Sequence, residues 1–164
     1  CRVSQLAVQD IMTRNVVTIG LNATILEARA VFERYGFHHL VVMEDNSRPL
    51  GVVSDRDILR HLSPFVDVPN AQREQDVRTL KKRMHQIMTR KLIAVPPIWS
   101  VLEAARLMLE HRVSCLPVIT DDDRLVGIVT MRDLVRWAVG QVEQQAEKKS
   151  GADQTVAVTH CGSR

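Results

Sequence analysis

Short apolar runs alternate with amphipathic stretches along most of this chain, and each kind of stretch predicts an element. The runs rich in Val, Ile and Leu predict strands or extended segments at residues 16–19, 37–43, 50–53, 92–95, 113–119 and 125–129. Between them, apolar residues recur at helical spacing behind Thr24 and Ser100, each of which has a glutamate three residues later. That arrangement is a capping box, which marks the start of a helix.

The same periodicity predicts which helix faces are buried. One face of the first long helix carries Ile25, Ala28, Phe32 and Tyr35. The corresponding face of the second carries Val101, Ala104, Ala105, Met108 and Leu109. Shorter helices are expected to end near Met12 and Met88, and further helices carry apolar residues at Ile58, Leu59, Leu134, Val135 and Ala138. We expect all these faces to lie against a common core.

The chain contains an internal repeat, because adding 76 to the residue numbers of one half aligns it with the other without a gap. About sixteen of about fifty aligned positions are identical, which is the signature of a duplicated unit. The stretch from Gly51 to Asp57 returns as Gly127 to Asp133. Each unit reads helix–strand–helix–strand–strand–helix, and two such units can bury their apolar sheet faces against each other.

Changes in composition predict the boundaries of these units. We expect repeat 1 at residues 1–62, a linker with a lead-in helix at 63–84, repeat 2 at 85–140 and a polar tail at 141–164. The lead-in helix has Val77, Leu80, Met84 and Ile87 at helical spacing, and residues from about 145 onward are expected to be mobile. The basic run 81–83 could indicate a nucleic-acid site, but a solvated helix face is the favoured interpretation.

Composition narrows the class of protein further. The 164 residues are 45% apolar and only 4% aromatic, and 22 basic against 19 acidic residues leave a charge of +3. That surplus is too small to indicate nucleic-acid binding, but it suits a small anionic ligand. Three separated cysteines indicate a reducing compartment, and Cys115 is expected to be a buried apolar residue. Without a membrane-length apolar run or a secretory signal, we expect a cytoplasmic chain. Because it opens with Cys1 and not with Met, we expect it to be a piece of something longer.

Two polar motifs are the candidates for chemistry, and each admits two interpretations. The first interpretation is a helix cap, because the spacing of a cap is found in Ser54 with Asp57 and in Thr130 with Asp133. The second is a ligand site, because anions and hydroxyls bind readily where a strand runs into a helix N-terminus. The neighbouring arginines, Arg56 and Arg132, could grip a phosphate or simply lie exposed or in salt bridges.

Two further positions differ between the repeats. Repeat 1 has His38 and His39 where repeat 2 has Ser114 and Cys115. Because neighbouring residues on a strand face opposite sides, only one of the two histidines is expected to face a given cleft. A histidine satisfied in or near the core is the competing interpretation.

The duplicated pattern resembles a tandem pair of CBS domains, the modules named after cystathionine β-synthase. The residues that carry the resemblance are the Met-Thr segments at 12–13 and 88–89, the Glu-Ala pairs at 27–28 and 103–104, the strands at 38–42 and 115–119, and the two Gly-to-Asp stretches. The resemblance covers residues 8–139. It implies an α/β fold in which two repeats pack sheet to sheet about an approximate two-fold axis, with a ligand cleft on each side.

The resemblance also implies a ligand and the residues that would bind it. CBS pairs bind adenosine derivatives such as AMP, ADP, ATP or S-adenosylmethionine as regulatory ligands, and no other cofactor is required. Asp57 and Asp133 would hold the ribose hydroxyls, with Ser54 and Thr130 offering hydroxyls to ribose or phosphate. Adenine would lie along Thr18 and Ile19, or along Ala94 and Val95. Phosphate would meet the His38 and His39 side of the pair.

These observations lead to one function and one alternative. We expect a homodimeric regulatory module that senses adenosine nucleotides and passes a conformational change to an unknown effector protein. The alternative is a structural homodimerisation module whose clefts stay unoccupied, with Asp57 and Asp133 acting only as caps. We expect no enzymatic activity, no nucleic acid and no membrane, since no phosphate-binding glycine loop, nucleophile elbow or metal-spaced cluster is present in the sequence.

Overall fold

Helices and strands alternate in the order that the apolar pattern predicts. The computed structural model describes residues 6–44, 48–62 and 74–153. The elements of the first half are α1 (Val8–Ile11), β1 (Thr18–Gly20), α2 (Ile25–Tyr35), β2 (His39–Glu44), β3 (Arg48–Ser54) and α3 (Asp55–His61). Those that follow are α4 (Glu74–Leu80), α5 (Met84–Ile87), α6 (Val101–His111), β4 (Cys115–Ile119), β5 (Leu125–Thr130) and α7 (Met131–Asp153). The predicted turn at 45–47, the linker breaks at 63–64 and 69–70, and the tail beyond 153 lie outside the described residues.

Each repeat contributes a small sheet built around an antiparallel hairpin. In repeat 1, β1 runs parallel to β2, and β2 pairs antiparallel with β3. In repeat 2, β4 pairs antiparallel with β5, and Val95 alone makes a parallel bridge to Val118. The strand predicted at 92–95 is therefore reduced to a single bridge. Pro96 follows at once and Pro117 on the facing strand has no N–H, so the ladder cannot extend.

The two sheets face each other, and alternation along the strands separates this interface from the two helix-facing cores. Val41, Met43, Cys115 and Ile128 form one buried cluster between the sheets. Their strand neighbours Leu40, Val42, Leu116 and Val118 point the other way, into the cores that the helices cover. The predicted α/β fold of two repeats packed sheet to sheet is thus confirmed, as is the burial of Cys115.

The opening helices of the two repeats are exchanged. Val8 and Met12 of the α1 segment are buried in the core of repeat 2, whereas Met84 of α5 is buried in the core of repeat 1. Backbone hydrogen bonds secure both crossings: Thr13 N–H donates to Ile128 O over 2.9 Å, and Thr89 N–H donates to Val52 O over 3.0 Å. Neither predicted unit therefore closes its own core, so the two repeats depend on each other for folding.

Two glycines make the crossings possible. A Cβ atom on Gly51 would lie 2.5 Å from the carbonyl oxygen of Thr89, which is closer than any real Cβ contact. A Cβ atom on Gly127 would meet the Met12 sulfur first, and would lie 3.1 Å from the Thr13 carbonyl oxygen. The glycine that opens each Gly-to-Asp stretch is thus required by a close approach of backbone, one of the reasons for which glycine is used.

Several helix predictions need correction. The lead-in helix is broken into α4 and α5, because the Lys82 carbonyl accepts a hydrogen bond from Ile25 N–H across the break and not from a following helical turn. Helix α7 runs through Asp153, well past the predicted start of the polar tail. Residues 141–149 are rich in Gln, Glu, Ala and Lys, which are strong helix formers whatever their polarity.

Some predicted core residues lie outside the core. The exposed ones are Tyr35, Leu59, Leu109, Val135 and Ala138. The apolar stripe of an amphipathic helix is about 100° wide, and these residues lie at or beyond the edge of that stripe, where they meet solvent.

Candidate ligand-binding site

A cavity of about 750 Å³ lies between the two repeats. The N-terminal ends of α3 and α7 open onto it, together with the segment that leads into β2 and the extended chain after α1. Its lining includes Asn15, Val16, Val17, Phe37, His38, His39, Ser54, Asp55, Arg56, Asp57, Arg60, Ser114, Thr130, Met131, Arg132, Asp133 and Arg136. Nine of the thirteen residues predicted from the sequence are therefore brought together in one place.

Both Gly-to-Asp stretches end in a complete capping box. Asp57 Oδ2 accepts hydrogen bonds from Ser54 N–H over 2.9 Å and from the Ser54 hydroxyl over 2.7 Å. Asp133 Oδ2 accepts from Thr130 N–H over 2.8 Å and from the Thr130 hydroxyl over 2.7 Å. The interpretation of these residues as helix caps is confirmed, and it consumes one oxygen of each carboxylate.

The second oxygen of each carboxylate is held far less firmly. Asp57 Oδ1 lies 3.6 Å from Arg60 Nη1, and Asp133 Oδ1 lies 3.4 Å from Arg136 Nη1. Both arginine side chains are about three-quarters exposed, at 77% and 74%, so these contacts are weak and solvent-screened. Each Oδ1 atom can accept a hydroxyl hydrogen bond from a ligand without dismantling the helix start.

The cavity carries a small positive charge. Four arginines line it, at positions 56, 60, 132 and 136, against three carboxylates at 55, 57 and 133, so 4 − 3 = +1 with the histidines neutral. Arg56 and Arg132 lie exposed at equivalent places in the two repeats. A positively charged cavity favours a ligand with a negative group. The attraction between the arginines and such a group is strongest where little water surrounds them.

The two histidines line the same cavity, which corrects the expectation that only one of them could. His38 precedes the first residue of β2, so the alternation of a strand does not apply to it. His38 Nδ1 lies 2.9 Å from Asp55 Oδ2. Burial acts to raise the pKa of Asp55, but hydrogen bonds from His38 and from the Arg56 N–H outweigh it and leave that pKa lowered.

His39 makes the polar contact that joins the repeats at the cavity. Its Nε2 atom lies 2.8 Å from the hydroxyl oxygen of Ser114. Burial lowers the pKa of His39, although the nearby Asp55 carboxylate partly counters this effect. The ring is therefore favoured in its neutral form. The next residue of repeat 2, Cys115, lies in the sheet interface, where burial raises the pKa of its thiol to about 12.

The four residues predicted to contact adenine lie apart from this cavity, and their role toward a ligand stays a prediction. Thr18, Ile19, Ala94 and Val95 do not line the cavity. Ile19 and Val95 are 8% and 1% exposed and belong to the helix-facing cores, so their side chains cannot reach a ligand there. Val16 and Val17, two residues earlier in the chain, line the cavity instead.

Other lining residues were missed although the repeat contained a signal for two of them. Arg60 and Arg136 are identical in the two repeats and follow each aspartate by three residues, which is one helical turn. Asp55 carried no such signal, because repeat 2 has Met131 at the equivalent position.

No group of three or more His, Cys, Asp or Glu in residues 6–44, 48–62 and 74–153 could hold a metal ion. Over the same residues, no helix combines the length and the apolarity that a bilayer crossing requires.

The fold and the paired helix starts are those of a CBS domain pair. The family model for the CBS domain matches residues 8–64 and again residues 74–140. The two matches together span well over half of the chain, so the chain belongs to the CBS domain family. The second match includes α4, which the sequence assigned to the linker. The exact division into repeats stays a prediction.

Individual relatives agree with this assignment. A CBS domain-containing protein of Dictyostelium discoideum is 31% identical over 137 residues, with 83% of this chain and 93% of that protein covered. Other matches are local: the chain spans only 31% of an uncharacterised protein and 25% of the inosine-5'-monophosphate dehydrogenase of Methanocaldococcus jannaschii. CBS pairs thus occur both alone and as parts of longer proteins.

Two similar solved structures contain adenosine derivatives. One is the CBS domain pair of protein MJ0100 in complex with 5'-methylthioadenosine and S-adenosyl-L-methionine, with a TM-score of 0.69, 26% identity and coverage of 83% of this chain and 98% of that chain. The other is CBSX2 in complex with AMP, with a TM-score of 0.67, 30% identity and coverage of 84% and 98%.

Proposed function

We propose that this CBS domain pair is a regulatory module that binds an adenosine derivative in the cavity between its repeats. The observation that carries the proposal is that the two oxygens of each carboxylate, in Asp57 and in Asp133, have different partners. In each carboxylate one oxygen completes the helix cap, and the other has only a long contact with an exposed arginine. Each of the two helix starts thereby presents to the cavity a carboxylate oxygen that can accept hydrogen bonds from ribose hydroxyls.

The charge of the cavity supports an anionic ligand and suggests where its charge would lie. On the repeat 1 side, the Asp55 carboxylate already pairs with the His38 ring, with 2.9 Å between Oδ2 and Nδ1. On the repeat 2 side, Met131 stands in place of that carboxylate, and Arg132 and Arg136 oppose Asp133 alone. We therefore favour the repeat 2 arginines for the phosphate, in preference to the His38 and His39 side that the sequence suggested.

The same proposal extends to the module's setting. Ligand binding across both repeats would favour one relative arrangement of them, and a homodimer would pass that change to an effector protein. The described thiol, Cys115, is unpaired and buried, which supports a reducing location such as the cytoplasm. No catalytic step is proposed for the chain.

A titration panel tests the proposal. The full chain is titrated in a calorimeter with AMP, ADP, ATP, S-adenosylmethionine and adenosine, and thermal unfolding is followed with each compound. We expect at least one of them to bind with a Kd below about 1 mM, because two charged acceptors and four arginines face the ligand. No heat and no thermal shift with any compound would leave the alternative, in which the satisfied capping boxes are purely structural.

A further inference from the structure

A pair of aromatic rings lies on the surface where α2 ends. Tyr35 and Phe37 are stacked, with their ring centroids 5.8 Å apart and their planes within 6° of parallel. Gly36 between them has a φ of 65°, the left-handed conformation that ends the helix and allows rings two residues apart to meet. Arg34 extends the stack, because its guanidinium carbon lies 5.4 Å from the centroid of the Tyr35 ring. The Phe37 ring is therefore held in place by its neighbours.

The packing of the repeats does not account for Phe37. Its counterpart in repeat 2 is Val113, which packs against the core of that repeat. Phe37, by contrast, is not among the described residues that form or pack against the buried clusters, and it is 39% exposed. It lines the cavity between the repeats, whereas Val113 does not. Ligand pockets are lined mainly by apolar and aromatic side chains of this kind, which indicates a binding contact.

The exposed aromatic ring and the surplus of positive charge lie in different parts of the cavity. On the repeat 1 side, next to Phe37, two arginines face two carboxylates, so the charges balance with the histidines neutral. On the repeat 2 side, Arg132 and Arg136 face Asp133 alone. A nucleotide has the same polarity, because its flat base and its charged phosphate are at opposite ends of the ribose. The cavity is therefore matched to one direction of a bound nucleotide.

We propose that Phe37, supported by Tyr35, is the platform on which the base of the bound adenosine derivative stacks, with the phosphate directed toward the repeat 2 arginines. This orientation rests on the proposed function, and it assigns a different end of the ligand to each repeat. Stacking requires only the π-face of a base and involves no hydrogen-bond readout, so its strength follows the size of the base. A purine covers the Phe37 ring more completely than a pyrimidine does. The platform thus favours purine nucleotides.

Calorimetric titration of the full chain with AMP, UMP and ribose 5-phosphate tests the platform. We expect wild type to bind AMP most tightly, then UMP, then ribose 5-phosphate, which has no base. Phe37→Leu keeps an apolar side chain but removes the aromatic face. Its Kd for AMP should rise about tenfold and its preference for AMP over UMP should shrink, while its Kd for ribose 5-phosphate changes by less than about twofold. Phe37→Trp restores a stacking face and should bind AMP within about threefold of wild type.

A second exposed aromatic residue supplies the matched control. Trp99 is 38% exposed, close to the value for Phe37, but it does not line the cavity. Trp99→Leu should therefore bind all three compounds as wild type does. If AMP binds wild type and Phe37→Leu equally well, or if ribose 5-phosphate weakens as much as AMP in Phe37→Leu, the platform is wrong and the proposed function still stands. If wild type binds none of the three compounds, AMP binding in this cavity and the platform are both wrong.

Discussion

The two halves of the cavity share one set of residues and differ in another. The shared residues occupy equivalent places at the starts of α3 and α7: Ser54 and Thr130, Arg56 and Arg132, Asp57 and Asp133, Arg60 and Arg136. The differing positions pair His38 with Ser114, and Asp55 with Met131. The shared set builds two copies of one helix start, each with an acceptor oxygen that has a long contact with an exposed arginine. The differing set decides the charge and proton binding on each side.

This comparison separates what folding requires from what a ligand requires. The caps, and the glycines that admit the crossing backbone, appear in both halves because both halves must fold. The His38–Asp55 pair appears only in repeat 1, and no crossing or cap depends on it. Variants that exchange or remove these residues therefore test the two sets independently.

The largest expected effect is on folding, and it differs between the halves. Gly51→Ala forces a Cβ against the Thr89 carbonyl, which is fixed backbone, whereas Gly127→Ala first meets the flexible Met12 side chain. We expect the free energy of unfolding to fall by about 3 kcal/mol for Gly51→Ala and by about 1 kcal/mol for Gly127→Ala. Urea denaturation measures both values. Equal losses, or a greater loss at Gly127, would show that the crossings are not held as the geometry indicates.

An intermediate effect is expected when the charge difference between the halves is exchanged. Asp55→Asn removes a negative charge from the cavity, and Met131→Asp adds one at the equivalent place. At several ångströms in partly screened surroundings such a charge is worth about 1 kcal/mol, or about fivefold in Kd. We expect AMP to bind tighter to the first variant and weaker to the second.

Adenosine, which has no phosphate, is the control for this exchange. Its Kd should change little in either variant, since the difference acts on charge. Equal changes for AMP and adenosine would mean that the substitutions distort the cavity instead of altering its potential.

The smallest expected effect is the part of the pH dependence of stability that comes from His39, a residue of repeat 1 with no histidine counterpart in repeat 2. The folded pKa of His39 is lowered from 6.5, so the unfolded chain takes up a proton first as the pH falls. The contribution of His39 to stability should therefore be constant well above that value and decrease as the pH falls below it, with a slope of less than one proton.

Urea denaturation at pH 5, 6 and 7 measures that slope, to within the precision with which denaturation free energies are determined, about 10–15%. His39→Gln should remove this residue's part of the slope, while Ser114→Ala should keep it, because burial is the main cause of the lowered pKa. A steeper decline in His39→Gln than in wild type would contradict the assignment.

The fold could be read from the sequence because the duplication tests every local pattern twice. A strand pattern or capping box that returns 76 residues later is no coincidence, and the hairpin strands, the caps and the sheet interface followed from it. The exchange of α1 and α5 could not be read, because each short helix carries one or two buried residues. Such residues are compatible with either core, and only tertiary packing selects between them.

The candidate site was predictable where both repeats agree and less so elsewhere. Ser54, Asp57, Thr130 and Asp133 were found because they recur at a helix start. The cavity is lined by Val16 and Val17 and not by Thr18 and Ile19, since a β-branched run such as 16–19 does not reveal which residue leaves the core first. Asp55 escaped notice because its effect depends on His38, a neighbour that the hairpin brings near and that is seventeen residues away in sequence.

The central claim is that Asp57 and Asp133 hold a ligand as well as a helix start, and a matched comparison isolates it. Glu27 and Glu103 complete capping boxes of the same geometry with Thr24 and Ser100, but none of these four residues lines the cavity. Combining Asp57→Ala with Asp133→Ala, or Glu27→Ala with Glu103→Ala, removes two boxes in each case. Both double variants should therefore lose similar stability, about 1 kcal/mol per box.

Calorimetric titration of both double variants with the adenosine ligand that binds wild type best is the decisive measurement. We predict that the aspartate variant loses at least about tenfold in affinity, because a hydrogen bond to a charged group contributes about 1.5–3 kcal/mol. The glutamate variant should bind as wild type does. If the two variants bind equally well, Asp57 and Asp133 are caps alone and the proposed ligand site is wrong.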